Sequence, residues 1–435
     1  MSAAGAPLRA RAAGVVEAVL ARGRSLKAAL VPALEQTADP RDRALLEAMC
    51  FEAIRWRRRY QHALEAWMDR PLAPRDAPVQ ALLLVGLAQL DALRLPAHAA
   101  VGSSAEAARV LGRPALVALV NALLRRASRE GVPCSEDPAI DTSHPDWLVA
   151  ALRRDWPEQW PAILAANNRP APMWLRVNRQ RIGREAYLAR LATAGIDARL
   201  PAGFDAAVVL ESGRAPTRLP GWQQGEVSIQ DGAAQRAAEL LPLRPGARVL
   251  DACAAPGGKA AALVEREPDI GLVALDIDRD RLRRVAETFE RLRLPPPAAL
   301  IAADAADAAA WWDGQPFDAI LLDAPCTATG VIRRQPDIKC HRRAADVAGL
   351  ATRQAALLDA LWPLLRPGGA LLYATCSLLR EENEAQIARF LEHTPDAGAR
   401  PLPDAAGRPL RFGRQSLPED DDADGFYCAL LARRS

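Results

Sequence analysis

Two cysteines stand where covalent chemistry could be done. Cys326 follows the apolar run FDAILLDAPC and Cys376 follows GGALLYATCS, so each leaves the carboxyl end of a buried strand candidate, and Asp323 ends the first of those runs. A lone cysteine at a strand end is ordinarily a small buried hydrophobe, and Cys50, Cys134, Cys253, Cys340 and Cys428 are read that way. Two thiols facing one pocket beside a carboxyl group need a chemical account. A thiolate is intrinsically very nucleophilic even when only a small fraction is ionised, so such a sulfur can add to an electrophilic carbon.

The run ARVLDACAAPGGKAAALV reads as strand, small-residue loop and helix start, an order that brings backbone N–H groups and a helix terminus to a ligand. The loop comprises Cys253, Ala254, Ala255, Pro256, Gly257, Gly258 and Lys259, and its two glycines permit close backbone approach. It lacks the spacing GxGxxG and Pro256 stiffens its turn, which favours a nucleoside-type ligand such as S-adenosylmethionine over a dinucleotide. Asp276 ends the following strand in LVALDID, placed to accept ribose hydroxyls, and Asp304 ends PAALIAAD, placed beside an adenine. A methyl donor beside paired thiols suits carbon 5 of cytosine. That carbon is a poor nucleophile until a thiolate adds at carbon 6 and converts the ring to an enamine. A carboxyl group at ring N3 stabilises the adduct, and a base must then remove the carbon 5 proton before the sulfur can leave.

The elements that must hold these residues fall into three stretches, with expected domains at 1–140, 145–235 and 236–435. From about residue 8 to 130 apolar residues recur at helical spacing, as in RALLEAMCFEAIRW and VQALLLVGLAQLDAL, which predicts an all-helical bundle. GVPCSEDPAIDTSHP reads as a linker or domain edge. The middle stretch joins a helix, DWLVAALRRDW, to the strand candidates MWLRVN, AAVVL and EVSIQ and the helical REAYLARLATAG, a small α+β module. Beyond it, ARVLDAC, IGLVALDID, PAALIAAD, FDAILLDAPC, GGALLYATCS and GFYCALLAR alternate with helical segments. Such alternation predicts a parallel, doubly wound α/β sheet with its ligands at the carboxyl ends of the strands.

Half of the 435 residues are hydrophobic and a quarter charged, a globular composition. The seven cysteines are odd in number and scattered, and Cys340–His341 lacks further ligands at metal spacing. Neither a disulfide framework nor a metal site is expected, and a reducing cytoplasm fits. The opening MSAAGAPLRARAAGVVEAVL has no long apolar core before a cleavage site, and no apolar run spans a bilayer, so no membrane role is expected. A net charge of +3 is too small to establish a polyanionic partner. Local clusters carry that argument. Arg55, Arg57, Arg58 and Arg59 interleave with Trp56 and Tyr60, a mix that could stack on unpaired bases and hold phosphates, unless Trp56 is core. Arg333, Arg334, Lys339, Arg342 and Arg343, with the single acid Asp337, follow Cys326 and are expected at the mouth of the site. The run EDDDAD at 419–424 reads as a solvated loop that nucleic acid avoids.

At MWLRVN, DACAAPGGK, LDID, LLDAPCTATGVIRRQPDIK, YATCSLLREEN and DGFY the chain closely resembles the RsmB/NOP family of RNA 5-methylcytosine methyltransferases, specifically its bacterial small-subunit ribosomal RNA branch. The resemblance implies an all-α NusB-like RNA-binding N-terminal domain, a small ferredoxin-like or RRM-like α+β module and a class I Rossmann-like α/β methyltransferase domain. It implies Cys376 as nucleophile and Cys326 as the thiol that assists product release. It further implies S-adenosylmethionine contacts from Cys253 to Lys259 and from Asp276, Asp304 and Asp323, with Lys259 steadying the loop or the cofactor carboxylate. Thr327 stands where many relatives carry serine, and its hydroxyl is retained. The implied substrate is 16S ribosomal RNA, at cytosine 967, free or in an early assembly intermediate and met by a monomeric enzyme. An unpaired cytosine is the easier target, since a paired one must first be flipped out. Two alternatives stay open: a different ribosomal or transfer RNA cytosine, and a non-catalytic RNA-binding assembly factor.

Overall fold

The computed structural model describes residues 5–418 and 420–434. The chain divides into two compact units, one running to Arg169 with Ile332–Arg342 added, the other Pro170–Val331 with the chain from Arg343 onward.

The first unit is helical, as its periodicity predicts. Helices Ala6–Arg22, Leu26–Glu35, Pro40–Arg55, Arg57–Trp67, Ala77–Leu90, Ala97–Val110 and Val117–Glu130 share one core. Ala77–Leu90 is apolar on every face and buried almost throughout, which makes it the central helix. Gly86 lets a neighbour close in on it, since a Cβ there would lie 2.6 Å from Leu124 Cδ1. Starts are set locally: the Ser25 hydroxyl accepts the Ala28 N–H, and Asp39, ahead of Pro40, accepts the Arg41 N–H at 2.7 Å. Helices Asp146–Asp155 and Trp160–Asn167 belong to this unit too.

Two expectations about basic clusters are corrected here. Arg55 is buried and donates to the carbonyls of Asn167 and Arg333, and Tyr60 is fully buried with its hydroxyl on Asp91, so neither can meet a base or phosphate. Trp56 is half-buried at the junction of two helices; Arg58 pairs with Asp146 at 2.7 Å and Arg59 lies over the Trp56 ring. In the second cluster Arg333 and Lys339 are buried within the helical unit. The Lys339 ammonium donates to the Arg55 carbonyl at 2.6 Å and to Asn168 Oδ1 at 2.9 Å, while Asp337 accepts the Leu26 N–H and so caps a helix remote in sequence. These two buried groups serve packing, because a buried polar group must be met by hydrogen-bond partners, while Arg343 of the same segment is exposed. Cys134, expected to pack, is exposed.

Among the described residues of the second unit the strands form two sheets. In the smaller, β1 (Met173–Val177), β2 (Ala198–Arg199), β3 (Ala207–Leu210) and β4 (Val227–Ile229) run antiparallel in the order β2-β3-β1-β4. Alternation along β1 sends Leu175 and Val177 to a core with Tyr187 and Leu191 of helix Arg184–Thr193. Trp174 and Arg176 take the opposite face, where Trp174 packs with Ala233 and Ala260 and Arg176 pairs with Glu265.

The larger sheet comprises β5 (Arg248–Asp251), β6 (Gly271–Asp276), β7 (Ala299–Ala302), β8 (Phe317–Asp323), β9 (Leu365–Thr375), β10 (Ala397–Arg400), β11 (Arg408–Pro409), β12 (Arg414–Ser416) and β13 (Phe426–Arg433). Its order is β7-β6-β5-β8-β9-β13-β12-β11, with β10 also on β13. The first five are parallel, with helices between them in sequence, as the alternation predicts. The edge departs from that expectation: β13 runs antiparallel to β9, and β10 to β12 had no forecast. An apolar run identifies a strand but not its direction. The residues between β12 and β13 are too few for the crossover a parallel neighbour needs, so that pair reverses. Of the acidic loop's residues, Asp421 and Asp422 are exposed and pair with Arg236 and Arg199, Asp424 is buried, and Glu419 lies outside the described residues.

Candidate active site

The parallel register brings the chemistry to one edge. Asp251, Asp276 and Asp323 end β5, β6 and β8, and Cys376 directly follows the end of β9. The Ala252 and Ala254 N–H groups continue the ladder to the carbonyls of Leu321 and Leu275, which lays the glycine loop across the strand ends. Gly257 holds φ +99° and a Cβ there would lie 3.0 Å from Val285 Cα, so both the turn and the close approach require glycine. Helix Gly258–Arg266 starts from that turn.

A cavity of about 380 Å³ opens at this edge, lined by Cys253, Ala255, Asp276, Asp323, Cys326 and Cys376 among the expected residues, and by Ile277 and Arg353 besides. Ala254, Pro256, Gly257, Gly258, Lys259 and Asp304 do not line it. Asp276 accepts the Ala255 N–H at 3.1 Å on one oxygen and the Asp278 N–H at 3.0 Å on the other, which shapes the loop around a carboxylate. Asp304, two residues past β7, is engaged by Arg353 and by the Ala306 N–H, and the Arg353 hydrogen bond holds its carboxyl below the usual range. Ile277 is 67% exposed, a large apolar side chain left open at the cavity beside Asp276.

The sulfurs of Cys326 and Cys376 lie 3.5 Å apart. Cys326 is buried, and its hydrogen bond to Cys376, then burial, push its thiol well above the ordinary cysteine range. Lys259 donates to Asp323 Oδ2 at 2.6 Å and sits over the Phe426 ring. Burial alone would lower Lys259, but the Asp323 charge and hydrogen bond, with Cys376 and Asp251 nearby, raise it, so the ammonium stays charged between the carboxylate and the thiols. Burial drives Cys253 up, consistent with an inert thiol in the loop.

Three residues escaped the sequence reading. Asp251, the first residue of DACAAPGGK, is buried with no partner for either carboxylate oxygen, and burial with the Asp323 charge pushes it up to about 7. Arg176, inside MWLRVN, forks onto Glu265 at 2.8 and 2.9 Å and donates to the Gly258 carbonyl at 2.6 Å, which ties the small sheet to the glycine loop. Glu382, inside YATCSLLREEN, lies behind both cysteine loops. Each sat in a quoted motif, but only the pairing reveals its task.

Residues 238–432 match the family model of the 16S rRNA methyltransferases RsmB/F, residues 144–216 that of the ferredoxin-like domain of RsmF/B-like methyltransferases, and residues 7–129 that of the NusB family. The chain is 54% identical to the ribosomal RNA small subunit methyltransferase B of Xanthomonas campestris pv. campestris, over 100% of this chain and 99% of that one. It is 50% identical to the protein of the same name from Pseudomonas putida, over 98% of each. A solved methyltransferase homolog protein from Pyrococcus horikoshii superposes with a TM-score of 0.61 at 27% identity, covering 68% of this chain and 98% of the other.

Proposed function

Because the chain belongs to the RsmB/F family of 16S rRNA methyltransferases and is an S-adenosylmethionine-dependent rRNA methyltransferase, we propose that it methylates carbon 5 of one cytosine, cytosine 967 of 16S ribosomal RNA, through a covalent adduct with Cys376. The observation that carries this reading is the 3.5 Å approach of two thiols in a cavity shared with Asp276 and with an Asp323 held by Lys259.

The residues present suit the cofactor. The Asp276 carboxylate is available to ribose hydroxyls, Ile277 offers an apolar face to an adenine, Ala252, Ala255 and Ala305 leave room, Cys253 to Lys259 supply the loop, and Arg353 of the lining holds Asp304. S-adenosylmethionine, when bound, supplies the methyl group. The Cys376 thiolate forms a bond to carbon 6 of the cytosine, and the electron pair moved to carbon 5 makes that carbon the nucleophile. Asp323 faces ring N3 and stabilises the adduct, and the Lys259 ammonium offsets negative charge on Asp323 and Cys376. Once carbon 5 carries the methyl group a base takes its proton, the carbon–hydrogen pair re-forms the ring double bond, and the sulfur–carbon 6 bond breaks with its pair returning to Cys376 as thiolate. Cys326, buried and with its thiol pushed well above the ordinary cysteine range by its hydrogen bond to Cys376 and by burial, assists that release. We assign RNA recognition to the helical domain at 1–140 and the small module at 145–235, and chemistry to 236–435. The expected substrate is an unpaired cytosine in free RNA or an early cytoplasmic assembly intermediate, met by a monomer. Among the described residues no helix is long and apolar enough to cross a membrane.

The test uses radiolabelled S-adenosylmethionine with unmodified small-subunit RNA, followed by mapping of the label and a search for a denaturant-resistant protein–RNA adduct. Label at one cytosine, lost in Cys376→Ala, with adduct accumulating in Cys326→Ala, supports the assignment. Adduct trapped by Cys376→Ala instead would exchange the two roles, and cofactor binding without transfer to any RNA would point to an assembly factor.

A further inference from the structure

Beyond Asp323 the two loops that carry the cysteines are no longer joined by regular strand pairing. The Ala324 N–H to the Ala374 carbonyl is the last rung of the β8–β9 ladder, and Cys326 and Cys376 lie past it. Past that rung the Gly330 N–H still donates to the Cys376 carbonyl at 2.9 Å, and side chains supply the further ties between the two loops. At the centre stands Glu382, fully buried. One carboxylate oxygen accepts the Thr327 N–H at 2.8 Å and Gln354 Nε2 at 3.3 Å; the other accepts the Thr327 hydroxyl and the Ser377 hydroxyl, each at 2.5 Å. Thr327 directly follows Cys326 and Ser377 directly follows Cys376, so a single carboxylate grips the residue after each sulfur. Thr329 adds a second tie, its hydroxyl 3.3 Å from Ser377 and accepting the Leu378 N–H, and Glu382 is itself anchored by Tyr373, whose hydroxyl donates to its carbonyl at 2.6 Å.

We propose that Glu382 is a positioning residue for the methylation reaction: by accepting hydrogen bonds from the residues following both cysteines, it holds the two sulfurs at the separation that release of the product requires. This rests on the two-thiol mechanism above. Charge-assisted hydrogen bonds in a dry site are short and directional, as the three from Thr327 and Ser377 are, and a carboxylate with four donors has little freedom to move. Burial drives the Glu382 carboxyl up, against the hydrogen bonds from Ser377 and Thr327. In its charged form it acts on Cys326, after the Cys376 hydrogen bond and burial, to keep that thiol protonated.

The experiment compares wild-type protein with Glu382→Gln, Glu382→Ala and Ser377→Ala. Three readouts are taken: cofactor affinity with a thermal melt, the rate at which diamide crosslinks Cys326 to Cys376 by peptide mass spectrometry, and single-turnover methyl transfer and adduct release at saturating RNA. The expected result is near wild-type cofactor affinity and RNA KM, crosslinking slowed roughly tenfold, and product release slowed on the order of 100-fold in Glu382→Ala, as for a displacement of about 1 Å. Glu382→Gln, which keeps the shape and one acceptor, should fall between. If Glu382→Ala does not fold, Glu382→Gln and Ser377→Ala carry the comparison. Wild-type crosslinking and release rates in the folded variants would overturn the positioning role alone. Methylation by wild-type protein with no covalent adduct trapped in Cys326→Ala would overturn the two-thiol reading beneath it.

Discussion

Replacing Arg176 with methionine separates a structural ion pair from the cofactor loop it supports. The pair is almost completely desolvated, with side-chain exposures of 3% for Arg176 and 6% for Glu265, and its geometry is a two-pronged fork. Methionine fills much of the same volume, so the main consequence is a carboxylate left buried without its cation. Breaking a buried pair in this way costs roughly 3–5 kcal/mol, whereas replacing both partners by apolar groups is often close to neutral. At roughly 2–4 °C per kcal/mol for a unit of this size, Arg176→Met should lower the melting temperature by about 6–20 °C, and Arg176→Met/Glu265→Leu should recover most of that loss. The Gly258 carbonyl also loses its donor at the start of the cofactor-loop helix. We expect cofactor affinity to fall about tenfold, equivalent to about 1.4 kcal/mol, in both the single and the double variant, because neither restores that bond. The measurements are thermal or urea melts of the four proteins in the cycle and calorimetric titration with S-adenosylmethionine. A single variant within about 1 kcal/mol of wild type, or a double variant no more stable than the single, would refute the reasoning, since the penalty is assigned to the stranded charge.

Asp251→Asn tests the unpartnered carboxyl. Its folded-state value near 7 lies above the unfolded value near 4, so its neutral form is free of penalty below about pH 4, and stability is lost as pH rises from about 4 to about 7. The cost of ionising it reaches at most about 4 kcal/mol above pH 7, so the variant should gain over wild type at pH 8 but not at pH 4; a pH-independent difference in urea midpoint contradicts this. Gly257→Ala forces a side chain onto φ +99° against Val285, and should cost about 1–3 kcal/mol in a thermal melt and weaken cofactor binding; an undisturbed melt means the loop relaxes cheaply. Asp276→Ala removes the acceptor of the Ala255 and Asp278 N–H groups, and should reduce cofactor affinity by roughly 10- to 100-fold with little change in RNA KM. A raised RNA KM at unchanged cofactor affinity would place Asp276 outside the cofactor site.

Much of this molecule is written locally. Apolar runs ending in Asp or Gly and alternating with helical stretches specify the strands β5 to β9, because a strand or helix face is encoded within a few turns of chain. The small-residue loop and the two cysteines were visible for the same reason: parallel strands joined by crossovers deliver their carboxyl ends to one edge, whatever the distance between them in sequence. What stayed hidden are pairings between distant residues. Arg55 meets the Arg333 carbonyl across 278 residues, Arg176 meets Glu265 across 89, and Glu382 reaches Thr327 across 55. A run of arginines reads the same whether it faces solvent or a cluster of carbonyls, so IRWRRRY and VIRRQPDIKCHRR suggested exposed charge where Arg55, Arg333 and Lys339 are in fact enclosed. The reversal of β13 was equally out of reach, because side-chain alternation carries no sign of direction. Residue types and local periodicity thus determined which elements form and which groups could react. The tertiary structure decided which charges are neutralised, which thiol is enclosed, and what holds the two sulfurs together, because burial and pairing are properties of neighbours that the chain brings together only on folding.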